Sequence, residues 1–220
     1  MGFSAAVFDL DGTLIDSLED LADSMNEALA GLGFPTHPGP AYKYFVGDGM
    51  EVLARRVLPE AARDRDTLER LVAAMRRVYA GRWDRKTRPY AGVPQMLEAL
   101  RARGLRLAVL SNKPDDFTRL TMERLLAPHT FDLVQGVSPD TPPKPDPAGA
   151  LAVAARLGVK PEECLYLGDT ATDMQTACRA GMCAVGALWG FRTRQELEEN
   201  GARAVVEEPG QVLALLETLV

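Results

Sequence analysis

The residues able to do chemistry in this sequence stand at the ends of short apolar runs. Ala5-Ala6-Val7-Phe8 leads into Asp9-Leu10-Asp11-Gly12-Thr13. Leu105 to Leu110 leads into Ser111-Asn112-Lys113, and Cys164-Leu165-Tyr166-Leu167 into Gly168-Asp169-Thr170, with Asp173 just beyond. Taken singly, each Asp or Ser would be an ordinary helix cap. Taken together, four carboxylates at one edge repel each other. At about 4 Å and an effective dielectric near 20, each like-charged pair costs roughly 4 kcal/mol, which a divalent cation removes. The only histidines are His37 and His129, with no HExxH pattern, so the ligand set is carboxylate and the expected ion is hard: Mg²⁺. Asp9 and Asp11, two apart, can face the same side of an extended chain, and Gly12 lets the chain turn sharply after them. A carboxylate held ionised against the ion is a nucleophile, and a neighbour outside the metal shell can carry the proton that a leaving alkoxide needs. A phosphate monoester repels such a nucleophile, so further positive charge is required. Lys144 in Thr141-Pro142-Pro143-Lys144-Pro145-Asp146-Pro147 supplies it from the stiffest loop of the chain, and only five of the 25 Lys+Arg are lysines. Lys113, just before Pro114, is expected to serve helix entry and loop fixation instead.

These residues need a scaffold that gathers them. Six short apolar runs, the three above plus Phe131 to Val134, Met182 to Val185 and Ala204 to Val206, read as buried parallel strands. Helix-period segments of crossover length lie between most of them. The expected fold is a doubly wound α/β sheet, whose ligands bind at the carboxyl ends of the strands. Residues 17–88 break the alternation with helical segments at Leu18 to Leu32, Gly49 to Leu58 and Asp66 to Trp83. They are far longer than a crossover requires and read as an inserted helical cap domain, leaving 1–16 and 89–220 as the catalytic core.

With 220 residues, 46% hydrophobic and 25% charged, the composition is that of an ordinary globular protein. The net charge of −6 lies in the sheet portion, 17–88 being nearly neutral, and there is no basic stripe for nucleic acid. The apolar runs are strand-length and no positive charge precedes Lys43, so neither a membrane span nor a signal peptide is expected and the chain reads as cytoplasmic. Cys164, Cys178 and Cys183 lack CxxC spacing and read as buried free thiols. The oligomeric state is open.

In order, Asp9-Leu10-Asp11-Gly12-Thr13-Leu14, Ser111-Asn112, Lys144-Pro145 and Gly168-Asp169-Thr170-Ala171-Thr172-Asp173 resemble the four motifs of the haloacid dehalogenase superfamily over nearly the whole chain. The resemblance implies that Asp9 is a nucleophile forming an aspartyl phosphate and Asp11 the general acid, then base. Ser111 and the Asn112 amide, beside Gly12, would bind the phosphoryl oxygens, and Lys144 would neutralise charge and hold Asp9. Mg²⁺ would rest on Asp9, the Asp11 carbonyl and Asp169, with Asp173 assisting directly or through water, while Thr13 orders the loop. Asp11 separates the chain from the dehalogenases, which lack that second Asp. The segment from Tyr44 to Arg56, with Gly47-Asp48-Gly49, is similar to the cap loop of bacterial phosphoglycolate phosphatases, as are Pro89 to Val93 and Asn112-Lys113-Pro114. This implies a small ester with a second anionic group, met by Gly47, Asp48, Gly49 and Arg55 or Arg56. Gly136-Val137-Ser138 departs from the Gly-Asp usual there. Another small phosphometabolite or pyrophosphate is the alternative substrate. A noncatalytic phosphate-binding protein would have no use for the whole motif set, and a phosphoacceptor receiver needs about half this length and no cap.

Overall fold

The structure, a computed structural model, describes residues 2–219 except 128 and 130. The chain divides into two compact units, Met1–Ile15 with Pro89–Val220, and Asp16–Arg88. The expected boundary, after residue 16, falls one residue later than the observed one.

In the first unit, six parallel strands form one sheet among the described residues: β1 (Ala5–Phe8), β4 (Arg106–Pro114), β5 (Leu133–Val137), β6 (Cys164–Gly168), β7 (Cys183–Ala187) and β8 (Ala204–Val206), in the order β5-β4-β1-β6-β7-β8. Counted along the chain within this sheet, the order is 3-2-1-4-5-6, doubly wound about β1. The register sets Phe8 of β1 beside Val109 and Leu167, so Asp9 emerges between β4 and β6. Residues alternate between two apolar layers. Ala6, Phe8, Leu107, Val109, Leu165, Leu167 and Val185 pack with α5 (Val93–Ala102), α6 (Asp115–Leu125) and α10 (Val212–Thr218). Ala5, Val7, Ala108, Leu110, Tyr166 and Ala184 pack with α7 (Ala148–Leu157), α8 (Ala171–Ala180) and α9 (Arg194–Glu199). Burial on both faces explains why these strands read as unbroken apolar runs. A fully buried side chain such as Phe8 contributes about 2 kcal/mol.

One strand limit and the burial of one cysteine differ from expectation. β4 continues through Ser111, Asn112 and Lys113, which lie within the strand rather than in a loop after it, because β5 pairs on to Val137 opposite Pro114 after a register shift. Cys178 is exposed, unlike Cys164 and Cys183, because it lies on the outer face of α8.

The second unit contains α1 (Leu18–Gly31), α2 (Tyr42–Phe45), α3 (Met50–Val57) and α4 (Arg65–Ala80). Met25 and Leu29 of α1, Leu53 and Val57 of α3, and Leu71, Met75 and Tyr79 of α4 are buried, as is Tyr42. Asn26 organises the loop after α1, accepting from the His37 amide (2.9 Å) and Tyr42 hydroxyl (2.8 Å) and donating to the His37 carbonyl. The first turn of α1 carries buried Asp20, whose Oδ2 accepts from the Lys86 and Thr87 amides (2.9 and 2.8 Å) and the Thr87 hydroxyl. The short strands β2 (Ile15–Asp16) and β3 (Arg88–Pro89) pair where the chain leaves and re-enters the sheet unit. No helix among the described residues is long and apolar enough to cross a membrane.

Candidate active site

β1 delivers Asp9 and β6 delivers Asp169 to the same edge of the sheet, and Asp173 follows in the first turn of α8. All three are buried, and each offers a carboxylate oxygen within 4.8 Å of the others'. Their surroundings differ. Asp169 Oδ1 accepts from the Thr13 hydroxyl (2.8 Å) and Oδ2 from the Phe191 amide (2.9 Å). Asp173 Oδ2 accepts from the Thr170 amide and hydroxyl (3.1 and 2.6 Å), while the Asp173 amide donates back to Thr170 Oγ1, closing a capping box that starts α8. A helix-capping role and a place in the carboxylate cluster therefore coexist in this residue.

Lys144 Nζ reaches both Asp173 Oδ1 (2.6 Å) and Asp9 Oδ1 (2.8 Å). Its loop is pinned from β4: the Lys144 amide donates to Asn112 Oδ1 (2.8 Å) and Asn112 Nδ2 donates to the Lys144 carbonyl (3.1 Å). The Asn112 side chain thus holds the lysine loop. Lys144 gives the enclosed Asp9 Oδ1 a counter-charge at 2.8 Å, and no other donor among the described residues reaches that oxygen.

The electrostatics follow from three carboxylates and one ammonium out of water. Burial, then the charge of Asp173, raises the Asp9 pKa to about 7 against the pull of Lys144. Burial with Asp173 and Asp9 pushes Asp169 well above the usual carboxyl range. Burial works against the Lys144 ammonium, yet Asp173 and Asp9 outweigh it and hold its pKa well above that of a free lysine. The trio has an excess of negative charge over local compensation. A small hard cation fits it: the donors are all oxygen, one buried oxygen has only the Lys144 ammonium beside it, and the backbone presses close around them. At Gly12, φ is +89° and a Cβ would stand 2.3 Å from Asp169 Oδ2; at Gly190 one would stand 2.3 Å from Asp169 Cβ and 2.5 Å from the Gly12 carbonyl. Only glycine allows these approaches.

Residues 6–187 match the haloacid dehalogenase-like hydrolase family. The chain belongs to that family. Among curated relatives of this hydrolase, the phosphoglycolate phosphatase of Pseudomonas putida is 34% identical over 206 residues, covering 92% of this chain and 75% of its own. That of Aquifex aeolicus is 35% identical over 185 residues, covering 84% of each chain. The crystal structure of a predicted phosphoglycolate phosphatase from Haemophilus somnus superimposes with a TM-score of 0.90 at 28% identity, covering 97% of both chains.

Within this hydrolase the carboxylate of Asp11 stands outside the trio. It is held by Lys113, whose Nζ lies 2.9 and 3.2 Å from its two oxygens, with the lysine side chain buried. Lys113 was expected at a helix start; because β4 runs on through it, its side chain turns to the strand-end edge instead. Ser111, buried on β4, accepts from the Lys113 amide (3.2 Å). The sequence reading also missed the loop after β7. Trp189 Nε1 donates to the Thr13 carbonyl (2.9 Å), Gly190 packs on Asp169, and the Phe191 amide holds Asp169. Its signal was the Trp189-Gly190-Phe191 sequence directly beyond a strand end.

Gly47, Asp48, Gly49 and Arg55 belong to the helical unit. Gly47 and Gly49 take left-handed φ of 114° and 92°. Asp48 is paired with Arg56 (2.5 Å), whose guanidinium also donates to the Phe45 carbonyl (3.1 Å), so Arg56 braces the turn before α3. Arg55 is exposed.

Proposed function

We propose that the protein is a Mg²⁺-dependent phosphatase that hydrolyses a small phosphate monoester, 2-phosphoglycolate, through an aspartyl phosphate on Asp9. The observation that carries this reading is the buried Asp9 carboxylate. Its enclosed oxygen has a single ammonium beside it, and it shares a 4.8 Å cluster with Asp169 and Asp173. Asp9, the Asp11 carbonyl and Asp169 would hold Mg²⁺, with Asp173 assisting. Bound there, the ion would offset the charge of the carboxylates and of the phosphoryl oxygens.

The chain's own groups supply the rest. Asp9 attacks phosphorus as the bond to the ester oxygen breaks, and Asp11 gives that oxygen its proton, releasing the alcohol. Asp11 then takes a proton from water as the water attacks the aspartyl phosphate, which frees inorganic phosphate and restores Asp9. The Ser111 hydroxyl and the Asn112 amide, beside Gly12, orient the phosphoryl oxygens, and Lys144 screens Asp9 from the incoming dianion. The unit Asp16–Arg88 acts as a cap. Gly47-Asp48-Gly49 and Arg55 form the segment through which it favours small esters over large ones. The names of the Pseudomonas putida and Aquifex aeolicus relatives support 2-phosphoglycolate as the ester.

The test is phosphate release from a panel of small phosphorylated metabolites, with Mg²⁺ and with a chelator, together with rapid-quench capture of a base-labile phosphoenzyme. The expected result is metal-dependent turnover with the highest kcat/KM for 2-phosphoglycolate and no phosphoenzyme in Asp9→Asn. Unimpaired turnover by Asp9→Asn would refute the covalent route.

A further inference from the structure

Asp169 differs from the other two carboxylates of the trio in its partners. Asp9 and Asp173 share the Lys144 ammonium, whereas Asp169 accepts from the Thr13 hydroxyl (2.8 Å) and the Phe191 amide (2.9 Å), both neutral donors. Neutral donors orient a carboxylate without cancelling the charge it offers an ion. The two donors come from different loops. β1 and β7 flank β6 in the sheet, so the loop after each reaches the Asp169 end of β6 from its own side. Trp189 ties these loops to one another, its Nε1 donating to the Thr13 carbonyl (2.9 Å). Asp169, Thr13, Trp189 and Phe191 thus close a ring. The indole is half-buried against the apolar layer of Phe8 and Leu167, which fixes where its one N–H points. The turn's own bond at Thr13, from its amide to the Leu10 carbonyl, is longer (3.3 Å).

We infer that Trp189 is a positioning residue: by holding the Thr13 carbonyl it keeps the Thr13 hydroxyl on Asp169, and the orientation so fixed makes the carboxylate trio prefer a small divalent ion over a large one. This rests on the metal-dependent reading of the site and assigns to it a residue outside the four sequence motifs. Mg²⁺ demands six oxygens in near-ideal octahedral placement at about 2.0–2.1 Å, while Ca²⁺ accepts six to eight at about 2.3–2.6 Å in looser geometry. Asp169 has little room to adjust between the two. It is bonded at both oxygens and enclosed by Gly12 and Gly190, at each of which a Cβ would stand 2.3 Å from one of its atoms. Loss of the indole N–H opens the ring at Thr13. The loosened carboxylate then loses more as a ligand for the exacting ion than for the tolerant one.

The experiment titrates Mg²⁺ and Ca²⁺, each alone, into the metal-free protein by calorimetry, so that no turnover is needed. The variants are Trp189→benzothienylalanine, which puts sulfur in place of the ring N–H and keeps the shape, Trp189→Phe, Thr13→Val, and Trp189→Phe combined with Thr13→Val. Both Trp189 variants should lose about tenfold or more in Mg²⁺ affinity, the range for a group that orients a metal ligand, and about threefold at most for Ca²⁺. Thr13→Val should show the same pattern. The combined variant should lose less than the product of the two single losses, because the indole acts through the hydroxyl. Melting curves in chelator check the fold of each protein, and if Trp189→Phe is unfolded, the isosteric analogue and Thr13→Val carry the comparison. Mg²⁺ affinity within about twofold of wild type in the benzothienylalanine protein, equal losses for the two ions, or losses that multiply in the combined variant would overturn the inference. A wild type that binds neither ion would instead remove the metal-dependent reading itself, and this inference with it.

Discussion

Replacing Asp9 with Asn should make the metal-free protein more stable while removing its activity. The side chain is enclosed, and burial with the neighbouring Asp173 raises its pKa from 3.8 to about 7. That rise corresponds to roughly 4 kcal/mol of folding free energy lost when the group is ionised. Between about pH 4 and pH 7 the folded chain holds a proton at Asp9 that the unfolded chain has released. Stability from this group therefore falls as pH rises through that window: the penalty is absent below about pH 4 and complete above about pH 7. Asn keeps the shape and cannot ionise. Lys144 loses one partner but keeps Asp173 at 2.6 Å, so part of the gain is offset and about 2–4 kcal/mol remains. For a chain of this size that is roughly 5–10 °C in Tm. The assay is thermal unfolding in chelator at pH 8 and pH 5, followed by the same scans in saturating Mg²⁺. Asp9→Asn should melt higher than wild type at pH 8, with less than half that difference at pH 5, and Mg²⁺ should raise the wild type by more than the variant. Equal melting of the two proteins at pH 8, or a gain of the same size at both pH values, would refute the argument that uncompensated charge at Asp9 opposes folding.

Other outcomes follow from the same geometry. At limiting Mg²⁺ the acidic limb of kcat/KM should lie near pH 7, where Asp9 ionises, and should move to lower pH as Mg²⁺ is raised; a limb that ignores metal concentration would separate Asp9 from the ion. Gly12→Ala places a Cβ 2.3 Å from Asp169 Oδ2 at a left-handed φ, so calorimetric Mg²⁺ affinity should fall at least about tenfold with a stability loss of about 1–3 kcal/mol. Gly190→Ala, 2.3 Å from Asp169 Cβ, should weaken Mg²⁺ binding similarly although it lies 21 residues beyond Asp169 in the chain. Asp48→Ala releases a half-exposed partner of Arg56 and should cost no more than about 1 kcal/mol in chemical denaturation.

Much of this hydrolase is readable along the chain because its information is local. The part of a strand buried between two apolar layers is an apolar run, so Ala5–Phe8, Cys164–Gly168 and their companions stand out. Polar residues resume where such a run ends, which marks Asp9 and Asp169 as residents of one edge. The helical insertion is legible for a similar reason, since 17–88 carries helix periodicity over a length no crossover requires. What the chain order cannot express is which side chains meet across that edge. Lys113 belongs to Asp11, 102 residues away, because β4 lies beside β1 and continues past Leu110 in step with β5. The loop after β7 reaches Asp169 because β7 neighbours β6, a matter of strand order rather than sequence distance. The raised pKa of Asp9 is likewise tertiary: a carboxylate between two apolar layers loses its water, and only the assembled sheet brings Asp173 and Lys144 close enough to contest its charge.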